Sequence, residues 1–244
     1  ASDVFAVGTG GAIQYYDGFG WGAMTSGTTN DLHGVWGTSH SDVFAVGVGG
    51  IILHYDGSAW SSMTSGTTNW LRAVWGNSGS DVFAVGDSGT ILHYDGSAWS
   101  AMASGTTRNL CGIWASSGAD VFTVGASGVT LHYDGSAWSA MASGTTNTLY
   151  GVWGTSGSDV FAVGYLGGIR HYDGSAWSAM TSGTTNTLLG VWGTSSTNVI
   201  TVGYSGNILQ HYEYETPAVH GANPSQGSQG TTMNVTITGA NFKG

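Results

Sequence analysis

Basic side chains are nearly missing from this chain: Lys and Arg together number 4 in 244 residues, against 14 Asp and Glu, for a formal charge of −10. With no basic patch to neutralise phosphates, nucleic acid and anionic membrane surfaces are poor partners. Cysteine occurs once, as Cys111. No intrachain disulfide can form, a zinc site built from cysteines is excluded, and the redox compartment is left open. No run of 18 apolar residues exists to cross a membrane as a helix. Proline occurs twice, as Pro217 and Pro224, both late in the chain.

Glycine and tryptophan are abundant, at 43 and 11 residues. The aromatics are evenly spaced, so glycine marks turns rather than disorder. Asp3, Asp42, Asp81, Asp120, Asp159 and Asn198 each open a copy of one text, and every step between them is 39 residues. A fixed period of this length signals an array of small units. The copy from 71 to 109 shows the plan. Leu71–Trp75, Asp81–Val85, Thr90–Tyr94 and Ala98–Met102 read as short strands separated by Gly, Asp and Ser turns. No segment has the length or the 3.6-residue spacing of a helix.

Val82 to Val85 is apolar on both faces, so that strand must be covered from both sides. Four-stranded sheets stacked face to face describe an all-β fold, a β-propeller of 39-residue blades, rather than a β-solenoid. The ends are uneven. Residues 3–25 supply strands two to four, and residues 188–212 supply strands one to three. Six blades are preferred to five because six leaves no apolar hairpin unburied. The chain opens on Ala1 in mid-repeat without an initiator Met, and is expected to be processed or a piece of something longer.

The pattern Asp-Val-Phe-Ala-Val-Gly-x-x-Gly-x-Ile-Leu-His-Tyr-Asp-Gly-x-x-Trp, followed by Ser-Gly-Thr-Thr and Leu-x-x-Val-Trp, resembles the repeats of bacterial sialidase-like (Asp-box) and photosystem II assembly-factor-like propellers. The resemblance spans residues 1 to about 212 and implies the propeller fold. Its Asp-box turn is shortened, since Asp56, Asp95 and Asp134 precede Trp60, Trp99 and Trp138 by four residues, not five. After Tyr212 the repeat stops. The tail pattern Gly-Thr-x-x-x-Val-Thr-Ile-x-Gly-x-Asn-Phe resembles the opening of an IPT/TIG immunoglobulin-like domain, as found on bacterial surface proteins. Two units follow: a propeller at 1–215 and a truncated immunoglobulin-type segment at 216–244.

Sialidase chemistry needs clustered arginines for a substrate carboxylate. Arg72, Arg108 and Arg170 stand at three different phases of the repeat, and no Tyr/Glu nucleophile pair stands out. No enzyme activity, cofactor or metal is therefore expected. His54, His93, His132 and His171 share one phase, one per blade, too far apart for a common ion. Ten tryptophans fall at two phases and read as packing between blades.

Trp70 belongs to neither phase, and function is sought where the copies differ. Three phases vary: His33, Arg72, Cys111, Tyr150 and Leu189 after the first-strand Leu; Thr9, Val48, Asp87, Ala126, Tyr165 and Tyr204 between strands two and three; and the phase of Trp70. These connections emerge on one face of a propeller, where binding loops usually sit. Trp70, Tyr165, Tyr204, Asp87, Arg72 and His33 are thus the candidate ligand-binding residues. The expected role is a secreted, cell-surface adhesion module binding a glycan or a surface protein. The alternative is a structural building block of a surface array or filament, self-associating through incomplete terminal blades.

Overall fold

The computed structural model describes residues 3–212, 218–223 and 236–240. Within 3–212 the chain forms 22 strands, gathered into six separate antiparallel sheets, one per copy of the repeat. In the third sheet the strands are Leu71–Ser78, Asp81–Gly86, Ile91–Tyr94 and Trp99–Met102, in that spatial order. The second, fourth and fifth sheets repeat this plan, giving the expected propeller-type succession of blades. The first sheet holds only Val4–Val7, Ile13–Tyr16 and Trp21–Met24, and the sixth only Leu188–Ser195, Asn198–Gly203 and Ile208–Tyr212. The last copy builds a sheet of its own rather than completing the first, so there are six blades and not five.

The first strand is longer than its apolar run suggests. Pairing continues past Trp75 through Gly76 opposite Val82 to Ser78 opposite Asp81, with a bulge on the way. In the four inner sheets the second strand is buried on both faces, as its composition requires. In the third sheet Val82, Phe83, Ala84 and Val85 are all essentially inaccessible. Val82 and Ala84 pack on Phe44 and Val46 of the second sheet, while Phe83 and Val85 meet Leu110, Ile113 and Val121 of the fourth. Burying each such side chain is worth about 1.5–3 kcal/mol, and the interface between the fourth and fifth sheets repeats the arrangement.

The outer faces of the two end sheets differ. Val4 is 49% exposed, and Val202 and Ile208 are 45% and 72% exposed, at phases that are buried inside the stack. The two tryptophan phases pack between sheets as expected in the interior, but Trp21 and Trp192 stand exposed at the ends.

The Asp-Gly-Ser-Ala-Trp stretch between the third and fourth strands forms a compact turn. Asp95 Oδ1 accepts from the Ser97 amide (2.9 Å), the Ser97 hydroxyl (2.6 Å) and the Ala98 amide (3.0 Å). Asp56, Asp134 and Asp173 do the same. The serine hydroxyl first, then the two amides, hold these four exposed carboxyls down to about 2. Asp17 has Phe19 in place of the serine, and is lowered by the Gly20 and Phe19 amides alone. A carboxyl depressed in the folded state stabilises the fold above its unfolded value near 3.8 and loses that contribution as pH falls towards about 2. Thermal melts should therefore show these turns contributing equally at pH 7 and pH 5. Between pH 4 and pH 2 the melting temperature should fall, and less steeply in Asp95→Asn and Asp134→Asn variants. Parallel curves for variants and wild type over that interval would refute the assignment.

The histidine phase has a structural role. Nε2 of His93 donates to Asp81 Oδ1 at 2.8 Å, with the ring stacked on Phe83 at 4.4 Å. His54, His132 and His171 pair with Asp42, Asp120 and Asp159 in the same way. In the end copies one partner or both change, but the bond survives. The Tyr15 hydroxyl donates to Asp3 (2.5 Å), which pushes the phenol up to about 12, and Gln210 donates to Asn198 (2.9 Å). The residue that opens each copy, Asp in five and Asn198 in the last, thus fastens its second strand to its third.

In the tail, Ala218–Asn223 pairs antiparallel with Thr236–Ala240. The remainder of 216–244, where most of the IPT/TIG-like pattern falls, lies outside the described residues.

Candidate functional site

First strands of neighbouring sheets run side by side, and small residues let them approach. A Cβ on Gly112 would lie 2.7 Å from the Tyr150 carbonyl, and one on Gly151 would lie 2.9 Å from that of Leu189. One residue earlier, the ladder skips. In every sheet with a first strand, pairing jumps from Leu71/Gly86 to Ala73/Val85 or its equivalent, leaving the residue between as the extra member of a β-bulge. Those extra residues are His33, Arg72, Cys111, Tyr150 and Leu189. A bulge releases its side chain from the alternation of the strand and re-aims it. Four of them, His33, Arg72, Cys111 and Tyr150, line one shared hollow of about 270 Å³.

The other two variable phases are hydrogen-bonded to each other at the edge of this hollow. In the five sheets that have a first strand, the connection between strands two and three is a short 3₁₀ turn whose first amide donates to the residue just before the first strand. Asp87 donates to the Trp70 carbonyl (2.8 Å), Tyr165 to Thr148 (2.9 Å) and Tyr204 to Thr187 (2.9 Å). Backbone bonds thus join two of the variable phases, and the third lies two residues further along the first strand, so all three meet on one face.

The chemistry of the face is uneven. Arg72 Nε donates to Asp87, and its guanidinium carbon lies 5.9 Å from the centre of the Trp70 ring, within cation–π range. The edge-on His33 ring also lies 5.9 Å from Trp70. The Asp87 hydrogen bond holds Arg72 firmly protonated. Burial pushes the Cys111 thiol up against the opposing pull of Arg72, so it is a poor nucleophile at neutral pH. Burial also raises the Tyr150 phenol, with Cys111, Tyr204 and Tyr165 adding smaller effects. Trp70, Tyr165 and Tyr204 are 45%, 47% and 61% exposed.

The six candidate residues thus fall into two neighbouring groups: His33, Trp70, Arg72 and Asp87 in direct contact, and Tyr165 and Tyr204 around Tyr150. Cys111 and Tyr150 line the hollow as well and were legible from the same phase as Arg72. Leu166 was not foreseen. It stands 53% exposed beside Tyr165 with φ at +55°, at a turn position held elsewhere by Gly10, Gly49 or a serine. Its signal was a bulky residue where the other copies carry small ones, since a left-handed backbone costs such a side chain about 1 kcal/mol or more. Among the described residues no group of three His, Cys, Asp or Glu could hold a metal ion, and no helix is long and apolar enough to cross a membrane.

No protein-family model matches the chain, and no curated protein matches it. Solved structures do resemble it. Sqt1 of Chaetomium thermophilum superposes with a TM-score of 0.71 at 15% identity, over 88% of this chain and 67% of that one. YCF48 bound to D1 peptide superposes with a TM-score of 0.68 at 18% identity, over 86% of this chain and 74% of that one. At such identities the likeness concerns the fold, and these neighbours agree with a β-propeller.

Proposed function

We propose that this chain is a non-catalytic binding module that holds a protein ligand on the face formed by the three variable phases. One observation carries the reading: the positions at which the copies differ converge on a single surface of exposed aromatics around one fixed guanidinium. Aromatic and arginine side chains supply most of the energy at protein interfaces. Arg72, held by Asp87 and within cation–π range of Trp70, loses little freedom on binding. That a structural neighbour, YCF48, is seen bound to a peptide supports the choice of protein over glycan. The proposal includes an extracellular, adhesive setting, which rests on the low charge and the wealth of Ser, Thr and Asn in the composition.

The test is a selection from a displayed peptide library, followed by calorimetry on the winning sequence with wild-type, Trp70→Ala and Arg72→Ala proteins. Each substitution is expected to weaken binding about 10- to 30-fold, the range of an interface hot spot. Unchanged affinity in both would sink the reading. A glycan array giving specific binding that Trp70→Ala abolishes would replace protein by sugar as the ligand.

A structural role in a larger assembly is the second reading, and the exposed end faces favour it. Trp21 and Val4 at one end offer the residue types that interior sheets present to Phe and Val, and Val202 and Ile208 at the other end offer the matching set. Sedimentation that stays monomeric at high concentration would remove it.

A further inference from the structure

Between neighbouring sheets inside the stack, a tryptophan from the start of each fourth strand closes the interface. Trp60 meets Phe5 edge-on at 6.2 Å, Trp99 meets Phe44 at 6.2 Å, and Trp138 meets Phe83 at 6.4 Å. The indole nitrogen of Trp99 also reaches the Met63 sulfur at 3.5 Å. Trp177 fills the equivalent place beside Phe122 and Met141. Between the fifth and sixth sheets the pattern stops. Phe161, Val163, Ile169 and Met180 form one wall, Val199, Thr201 and Leu209 the other, and a cleft of about 280 Å³ lies between them. This is the place of the indole at the other interfaces. Thr201 adds an independent sign: its hydroxyl is buried on the cleft, the residue being 5% exposed, and has no hydrogen-bond partner among the described residues. At the same phase of the fourth sheet, Thr123 donates to Gly112.

Among the described residues no strand covers the backbone beside the cleft. Ile208–Tyr212 is the edge of its three-stranded sheet. In the fifth sheet the corresponding edge is covered by Trp177–Met180, with Tyr172 opposite Trp177 and Ile169 opposite Met180. Thirty-nine residues after Trp177 the sequence has Thr216, not tryptophan, at a position outside the described residues.

We propose that this cleft and strand edge form a second binding site, for an extended segment of a partner chain in which tryptophan is followed three residues later by methionine. The segment adds to the sixth sheet as an antiparallel fourth strand, with Met opposite Ile208 and Trp opposite His211. Main-chain bonds along the edge give affinity and the indole pocket gives selectivity, as in other cases of strand addition. The choice of occupant rests on the chain itself. Trp21–Met24, Trp60–Met63, Trp99–Met102, Trp138–Met141 and Trp177–Met180 are five copies of that segment, already seated beside five third strands.

The probe is a fluorescein-labelled peptide, Gly-Ser-Ala-Trp-Ser-Ala-Met-Thr, titrated into the full chain and followed by anisotropy. Saturable binding is expected, weakened at least tenfold when the peptide carries Ala for Trp, and weakened at least tenfold by Leu209→Glu in the protein. Should Leu209→Glu lose its near-ultraviolet circular dichroism, the two peptides on the wild-type chain still decide. Equal binding of both peptides, or none, overturns the site. Concentration-dependent dimers that the peptide dissolves would overturn the partner segment and make a second copy the occupant.

Discussion

Phe83→Ala is expected to lower the unfolding free energy by about 3–5 kcal/mol, measured by urea or guanidinium melts. Phe83 is 1% exposed. Its ring stacks on His93 at 4.4 Å, lies 5.9 Å from Tyr133 and takes the edge of Trp138 at 6.4 Å. Truncation removes all three contacts and leaves a cavity between two sheets that are each held by their own hydrogen bonds and cannot easily close on it. The same change at Phe5 should cost less. That ring belongs to a three-stranded sheet, is only half-buried, and borders a side of the molecule where Val4 is already open to solvent. A cost at Phe5 equal to that at Phe83 would mean that the end sheet is covered in solution.

Much of this was legible because the repeat writes each instruction five or six times. The four strands, their turns and the apolar second strand follow from one period, and the uneven ends follow from where the copies start and stop. The gathering of the variable residues on one face was legible too, from the order of strands in a propeller blade. Three things were not. The bulge at Arg72 has no composition signal, because it is set by how first strands crowd together around Gly34, Gly112 and Gly151. The bond between His93 and Asp81 joins residues 12 apart whose spacing is invisible until strands two and three are placed in register. The cleft beside Thr201 exists only in relation to the tryptophans that fill its counterparts, so it can be seen only once the sheets are stacked.

Gly86→Ala ties the scaffold to the binding face, and its predicted effect is the larger one on function. Gly86 has an extended backbone, φ −169°, that any residue adopts. The reason for glycine is space: an added Cβ would lie 2.0 Å from the Trp70 carbonyl oxygen and 2.9 Å from the Leu71 Cα. Both neighbours are backbone, so nothing flexible can move aside. Alanine must push the Trp70–Leu71 peptide away from the second strand. That carbonyl accepts the Asp87 amide at 2.8 Å, and Asp87 in turn holds Arg72 under the Trp70 ring. The substitution should therefore cost roughly 1–3 kcal/mol of stability or more, in the range of overpacked cores. It should also weaken ligand binding on the variable face about as much as Trp70→Ala does. Gly8 occupies the same phase in the first sheet, where no first strand lies alongside, and a Cβ there meets nothing within 4 Å. Gly8→Ala should be neutral within about 0.5 kcal/mol and should leave binding intact. The pair separates close approach from glycine's conformational freedom, because both residues are extended. Similar losses at Gly8 and Gly86 would show that backbone freedom, and not the carbonyl of Trp70, demands glycine at this phase. The link from the second strand to the binding face would then be broken.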